Sequence, residues 1–301
     1  MSATSTSGAV YSIGAGYRGT CGTVTIGGTV YPAGISESHY TYPAGVTNLA
    51  SITENTTFSD GAILSGILGA NVKISIAAGA TVTLRDVTIN GISSGYSYPW
   101  AGINCEGNAT LILKGTNKVK GFHSCYPGIH VTEGSTLTIR GDGSLTASSN
   151  GSGAGIGSGH PGHLNLSHFE VPCGNINIEG GTITATGGTG AAGIGAASRS
   201  SCGNITISGG TITATGGKRA PGIGSGSFDY IEVESSSCGN ITISGAHVTA
   251  TKGRESPNSI GKGSGASCGT VTIGGTVYWD GSAYQNDGAT YLATSPLVYQ
   301  P

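Results

Sequence analysis

The clearest pattern in the chain is strict alternation of apolar and polar residues over short runs. In Thr182–Thr186, TITAT, isoleucine and alanine fall on one face and the threonines on the other, and Thr211–Thr215 repeats the string letter for letter. The runs NINI and NITI that precede them alternate in the same way. Period-two alternation in β-branched residues predicts half-buried strands. The runs sit inside longer copies. Residues 173–194 read CGNINIEGGTITATGGTGAAGI, residues 202–223 read CGNITISGGTITATGGKRAPGI, and residues 238–260 read CGNITISGAHVTATKGRESPNSI. Residues 135–156, STLTIRGDGSLTASSNGSGAGI, form a fourth copy without the cysteine. Weaker copies end at Ile103 and Ile129, and NVKISIAAGATVTLRDVTI and ATLILKGTNKVK upstream predict two further coils.

The period is 26–30 residues, stretched to 37–38 where extra residues enter. Each copy holds two strands and a Gly-rich closing segment. One such coil cannot bury its apolar row alone, but coils stacked about 4.8 Å apart build a continuous core. Asn-Gly and Asp-Gly hairpin signals between the runs are missing, so copies of identical direction stack in parallel. The predicted fold is all-β: a right-handed, single-stranded parallel β-helix (β-solenoid) with three sides per coil and capping segments. A β-propeller is the rival, but its blades need about 40 residues and four strands.

Insertions enter between the Gly-Ile closing dipeptide and the next Cys-Gly. Ile194 to Cys202 and Ile260 to Cys268 are 8 residues apart, whereas Ile156 to Cys173 is 17 and Ile223 to Cys238 is 15. The long inserts therefore leave one corner of the helix in alternating coils, and one-sided insertions often mark a binding face. The ends also match each other. Residues 12–30, SIGAGYRGTCGTVTIGGTV, closely resemble residues 259–277, SIGKGSGASCGTVTIGGTV. Residues 1–45 thus read as the end coil of a preceding module plus linker, and residues 46–301 as the module proper, with residues 31–70 a less regular linker and cap and residues 278–301 an aromatic C-terminal cap. Two arrangements account for the duplication: a tandem array, or head-to-tail stacking of copies into a fibre.

Composition narrows the chemistry. Glycine supplies 56 of 301 residues without a three-residue period and proline only 10, which excludes collagen. Charged residues are 9% and the net charge is −2, with no basic stripe, so nucleic acid is not an expected partner. No apolar run reaches the roughly 20 residues of a membrane span. The opening MSATSTSG lacks the features of a signal peptide and reads as a fragment boundary.

Four sets of side chains are candidates for function. Cys21, Cys173, Cys202, Cys238 and Cys268 share one column, open to packing as thiols or to disulfides between neighbouring coils. No Cys-x-x-Cys or Cys/His spacing suits a metal, and no cofactor is implied. Asp229, Glu232 and Glu234 in the second insert and Glu170 and His168 in the first are the acids and base available to a polysaccharide lyase or glycosidase, the enzymatic alternative. Asp86 and Arg85 read as an outward pair. Tyr96, Tyr98, Trp100, Phe122 and Tyr126, with His160, His163, Phe228 and Tyr230 of the inserts, are the candidates for stacking on sugar rings, unless they only cap the early coils. The threonine columns could form an ice-binding face, although threonine is also the ordinary outward strand residue.

The phrases AGINCEGNATLILKGTNKVKGFHSCYPGIHVTEGSTLTIRGDGSLTASSNGSGAGIGSG and CGNITISGGTITATGG resemble Gly/Thr-rich β-helix repeat modules of large secreted and surface proteins of gut and rumen bacteria. The resemblance implies a parallel β-helix, an extracellular or bacterial cell-surface setting, and a role in adhesion, binding of a glycan or host cell-surface ligand, or fibre formation. It transfers no catalytic residue.

Overall fold

A computed structural model describes residues 45–91, 97–161, 171–227 and 236–301, together with the strands Val24–Ile26 and Thr29–Tyr31. From Val46 onward the chain is a parallel β-helix, as the repeat predicts. The strands form three long sides. The first side stacks Ala109–Lys114, Thr136–Gly141, Asn175–Ile178, Ile205–Ile207, Ile241–Ile243 and Val271–Ile273 in parallel. The second stacks Thr116–Lys120, Ser144–Ser148, Thr182–Thr186, Thr211–Thr215 and His247–Thr251. The third carries Ile103–Cys105, Ile129–Val131 and then the two-residue Ile-Gly runs at 156, 194, 223 and 260.

Register follows the alternation letter by letter. Leu137, Ile176, Ile205, Ile241 and Val271 form one inward column on the first side. Leu145, Ile183, Ile212 and Val248 form one on the second, beside Val119, Ala147, Ala185, Ala214 and Ala250. Ile129, Ile156, Ile194, Ile223 and Ile260 form the third. All of these are buried. A one-residue slip in any coil would put its threonines inside, so burial holds the register. Each isoleucine taken from water contributes about 1.5–3 kcal/mol before entropy is subtracted.

The corners carry polar ladders. The asparagine of each Cys-Gly-Asn repeat caps the coil above it: Asn175 Oδ1 accepts from Asn204 N, Asn204 Oδ1 from Asn240 N, and Asn240 Oδ1 from Thr270 N, at 2.8–2.9 Å. The glycine after each closing isoleucine, at 157, 195, 224 and 261, has φ between +118° and +142°. A Cβ at Gly195 would land on the Gly224 carbonyl oxygen, so only glycine admits both the backbone angle and the stacking distance.

Three features correct or extend the sequence expectations. The stretch read as linker and cap already belongs to the stack from Val46: Val46–Asn48 pairs with Ile63–Ile67, which pairs with Thr81–Asn90, and Thr56–Phe58 pairs with Ile74–Ile76. These coils use shorter connections and none of the repeated wording. Arg85 and Asp86 both face outward, as expected, but Asp86 also has a structural task. Asp86 sits at φ 55° where Thr81–Asn90 bends from the first side to the second, and its Oδ1 accepts from Thr116 N at 2.9 Å. Finally, the last coil does not continue. Gly274 and Gly275, at φ 59° and 81°, turn the chain so that Thr276–Trp279 runs antiparallel to Val271–Ile273. Leu297–Tyr299 then covers the edge of His247–Thr251 antiparallel.

Candidate functional site

The corner between the second and third sides collects most of the unusual side chains. Ahead of the third-side strand Ile103–Cys105, Tyr98 and Trp100 pack half-buried against the core, with ring centroids 5.6 Å apart. Trp100 meets Phe122 of the next coil at 6.2 Å. His123 and Tyr126 meet edge to face at 5.8 Å in that same coil. The Trp100 indole Nε1 is buried and has no hydrogen-bond partner among the described residues. Phe122 is 2% exposed. It is a core ring, out of reach of a ligand, which corrects its candidacy as a sugar platform. Tyr98, Trp100 and Tyr126 are each half-buried rather than fully enclosed.

The root of the first insert lies against this group. After Ile156–Gly157 the chain turns back along the corner, and His160 N donates to Cys125 O at 2.7 Å. Gly159 N donates to Val171 O at 3.0 Å, closing the base of the insert. Ser158 Oγ accepts from Ala197 N at 2.7 Å and ties the root to the next coil. His160 is itself only 6% exposed, so its ring belongs to the support and not to an open surface. His130, outward on the third side, is covered from the far end of the insert: its Nε2–H donates to Pro172 O at 2.9 Å. Burial lowers the His130 pKa, and the Lys73 charge lowers it further, while the bond to Pro172 opposes them. No local pattern marks His130 or Pro172; 42 residues separate them, and only the third dimension brings them together.

The second insert leaves the same corner two coils on. Ser227 N donates to Gly190 O at 2.9 Å and Ser236 Oγ donates to Ala197 O at 2.9 Å. Both roots are therefore pinned to the body. Tyr96, His163, His168, Glu170, Phe228, Asp229, Tyr230, Glu232 and Glu234 lie outside the described residues. Among the described residues no group of three or more His, Cys, Asp or Glu gathers.

The cysteine column forms a short fourth run before the first side. Cys173 bridges to Cys202, Cys202 pairs with Cys238, and Cys238 with Cys268. Cys173 and Cys202 form a disulfide with a Cα separation of 4.5 Å. The thiols of Cys105, Cys125, Cys238 and Cys268 are free. Burial pushes the Cys105 thiol up to about 12.

The threonine face is narrower than the repeat implies. On the second side Thr146, Thr184, Thr213 and Thr249 stack in one outward column, but Lys118 occupies the same column one coil earlier and His247 replaces threonine beside it.

Residues 137–160, 176–198, 205–227 and 241–268 match the family described as β-helix repeat, and these stretches are four successive coils of the stack. Comparison with curated proteins and with solved structures gave no match. Among the described residues no helix is long and apolar enough to cross a membrane.

Proposed function

We propose that this β-helix is a non-catalytic extracellular module that presents one corner to a glycan or a cell-surface ligand. The observation that carries this reading is the coincidence of the half-buried rings Tyr98, Trp100 and Tyr126 with the rooted base of the first insert on one edge of a stiff stack. Rings held by packing offer flat apolar faces to sugar C–H groups at little cost in conformational entropy. The rod keeps them fixed relative to inserts that are free to vary. An extracellular setting is supported by the Cys173–Cys202 disulfide, since such bonds persist mainly in oxidising compartments. A glycan and mucin array tests the reading. Binding that falls at least tenfold in Trp100→Ala supports it; no binding to any glycan or cell, or turnover of a bound polysaccharide, overturns it.

A second reading, repetition along one rod, is favoured by the end hairpins. The string CGTVTIGGTVY occurs at 21–31 and at 268–278. Both copies fold into a hairpin with the same turn partners, Ile26 with Thr29 and Ile273 with Thr276. The C-terminal copy pairs with Ile241–Ile243 of the preceding coil, whereas the N-terminal copy forms a two-stranded sheet of its own. The N-terminal hairpin thus carries the wording that ends a β-helix, with its Val24–Ile26 strand suited to the edge of another module's last coil. Electron microscopy of two copies fused head to tail separates the outcomes: one continuous rod supports end-to-end joining, and two particles on a flexible tether overturn it.

A further inference from the structure

We infer that Cys238 and Cys268 are the site of a second disulfide, which staples the C-terminal cap to the body of the helix. The four cysteines of the fourth run stand one above another in successive coils, so each can bond only to the one directly above or below. Cys202 is already bonded to Cys173. That leaves Cys268 as the neighbour of Cys238, directly opposite it in register, with Ser237 opposite Ser267 one position earlier. Cys173 and Cys202 stand in the same relation, bridging neighbouring parallel coils, and there the bond is formed at ordinary disulfide separation. Both remaining thiols are nearly buried, at 6% and 8% exposure.

The electrostatics favour one of the two as nucleophile. The Cys238 thiol donates to Cys268, which lowers Cys268 and raises Cys238, and the nearby Lys262 charge lowers Cys268 again. Cys268 therefore attacks first. Its thiolate displaces one thiolate from a low-molecular-weight disulfide and becomes a mixed disulfide. Cys238 then attacks the Cys268 sulfur and expels the second thiolate. The two cysteines lose two electrons and two protons, and the small disulfide becomes two thiols.

The bond lies where it matters for the fold. Cys268 opens the last coil, Trp279 Nε1 donates to Cys268 O at 3.3 Å, and the hairpin Val271–Trp279 closes the end of the stack. A Cys238–Cys268 bond clamps that coil to its predecessor, as Cys173–Cys202 clamps two earlier ones.

The test uses the whole chain incubated with oxidised glutathione, alkylated under denaturing conditions and mapped by mass spectrometry without reduction. Peptides joining Cys173 to Cys202 and Cys238 to Cys268, with Cys21, Cys105 and Cys125 alkylated, are the expected result. Alkylation of both Cys238 and Cys268, or a Cys202–Cys238 link formed by exchange along the column, overturns the inference. In parallel, Cys268→Ser is expected to unfold its Trp279 region at lower temperature than the oxidised chain, and reductant is expected to erase most of that difference. A difference that survives reductant unchanged overturns the staple.

Discussion

At the residue scale, stability depends on a few side chains, and a few missing ones, that sit where coils nearly touch. Gly195 is the strictest case. Alanine there meets both the left-handed φ of 129° and the carbonyl of Gly224. Gly195→Ala should cost about 3 kcal/mol or more in urea unfolding, the sum of backbone strain and overpacking. Gly69→Ala, with nothing within 4 Å of its Cβ, should stay within about 0.5 kcal/mol. Asn117 is the polar counterpart. It stands in the inward column of Leu145 and Ile183, 1% exposed, with Oδ1 accepting from Val87 N and Nδ2 donating to Lys114 O and Ser144 O. Asn117→Leu would match its column in shape yet leave those three backbone groups unpaired, so it should destabilise by about 2–4 kcal/mol. His130 makes the molecule pH-sensitive. Its folded pKa lies below the ordinary 6.5 because it is covered, so the unfolded chain binds the extra proton. Stability is therefore full above about pH 6.5 and declines as pH falls below it. Urea midpoints measured from pH 7.5 to 5 should drop, and His130→Gln should flatten that part of the profile.

At the scale of the strand, the two faces of one five-residue run behave oppositely. Ile183→Ala removes a fully buried side chain stacked between Leu145 and Ile212 and should cost about 2–5 kcal/mol. Thr184→Lys, one residue away, points outward in the column that already carries Lys118 and should change stability by less than about 0.5 kcal/mol. The same substitution addresses ice binding, because it breaks the uninterrupted run Thr146, Thr184, Thr213 and Thr249 in its middle, whereas Lys118 lies only at its end. Thermal hysteresis present in the natural chain and lost in Thr184→Lys would support that role; none in either would remove it. The alternation and the Gly-rich closing segments were legible in the repeats, because each is local and recurs from coil to coil; the asparagine caps were not read there, since each bond joins residues 29–36 apart in successive coils. The antiparallel return at Gly274–Gly275 was not legible either. Its strand is worded like those that continue upward, and what differs is that the residues after it fold back along the edge as Thr276–Trp279.

At the scale of the whole molecule, the solenoid separates stability from display. The first insert is closed at its base by Gly159 N to Val171 O, so its ends already meet. Replacing residues 161–170 by Asn-Gly should leave the unfolding midpoint nearly unchanged while altering ligand selectivity on an array, since loop length adds little to closure entropy. The aromatic corner shows how partial the sequence reading of the site had to be. Tyr98, Trp100 and Tyr126 remain candidate contacts, but Phe122 and His160 are buried support, and nothing in their local wording distinguishes them from the others.

Alternation and repetition were sufficient to specify the parallel stack, its inward columns and the corner from which the inserts leave, because a period of two places faces and a recurring coil places neighbours. Contacts between residues with no shared pattern needed the folded chain: His130 beneath Pro172 and Trp100 against Phe122. Those depend on how far each connection lets one coil turn over another, and stacking geometry sets that, not any local propensity.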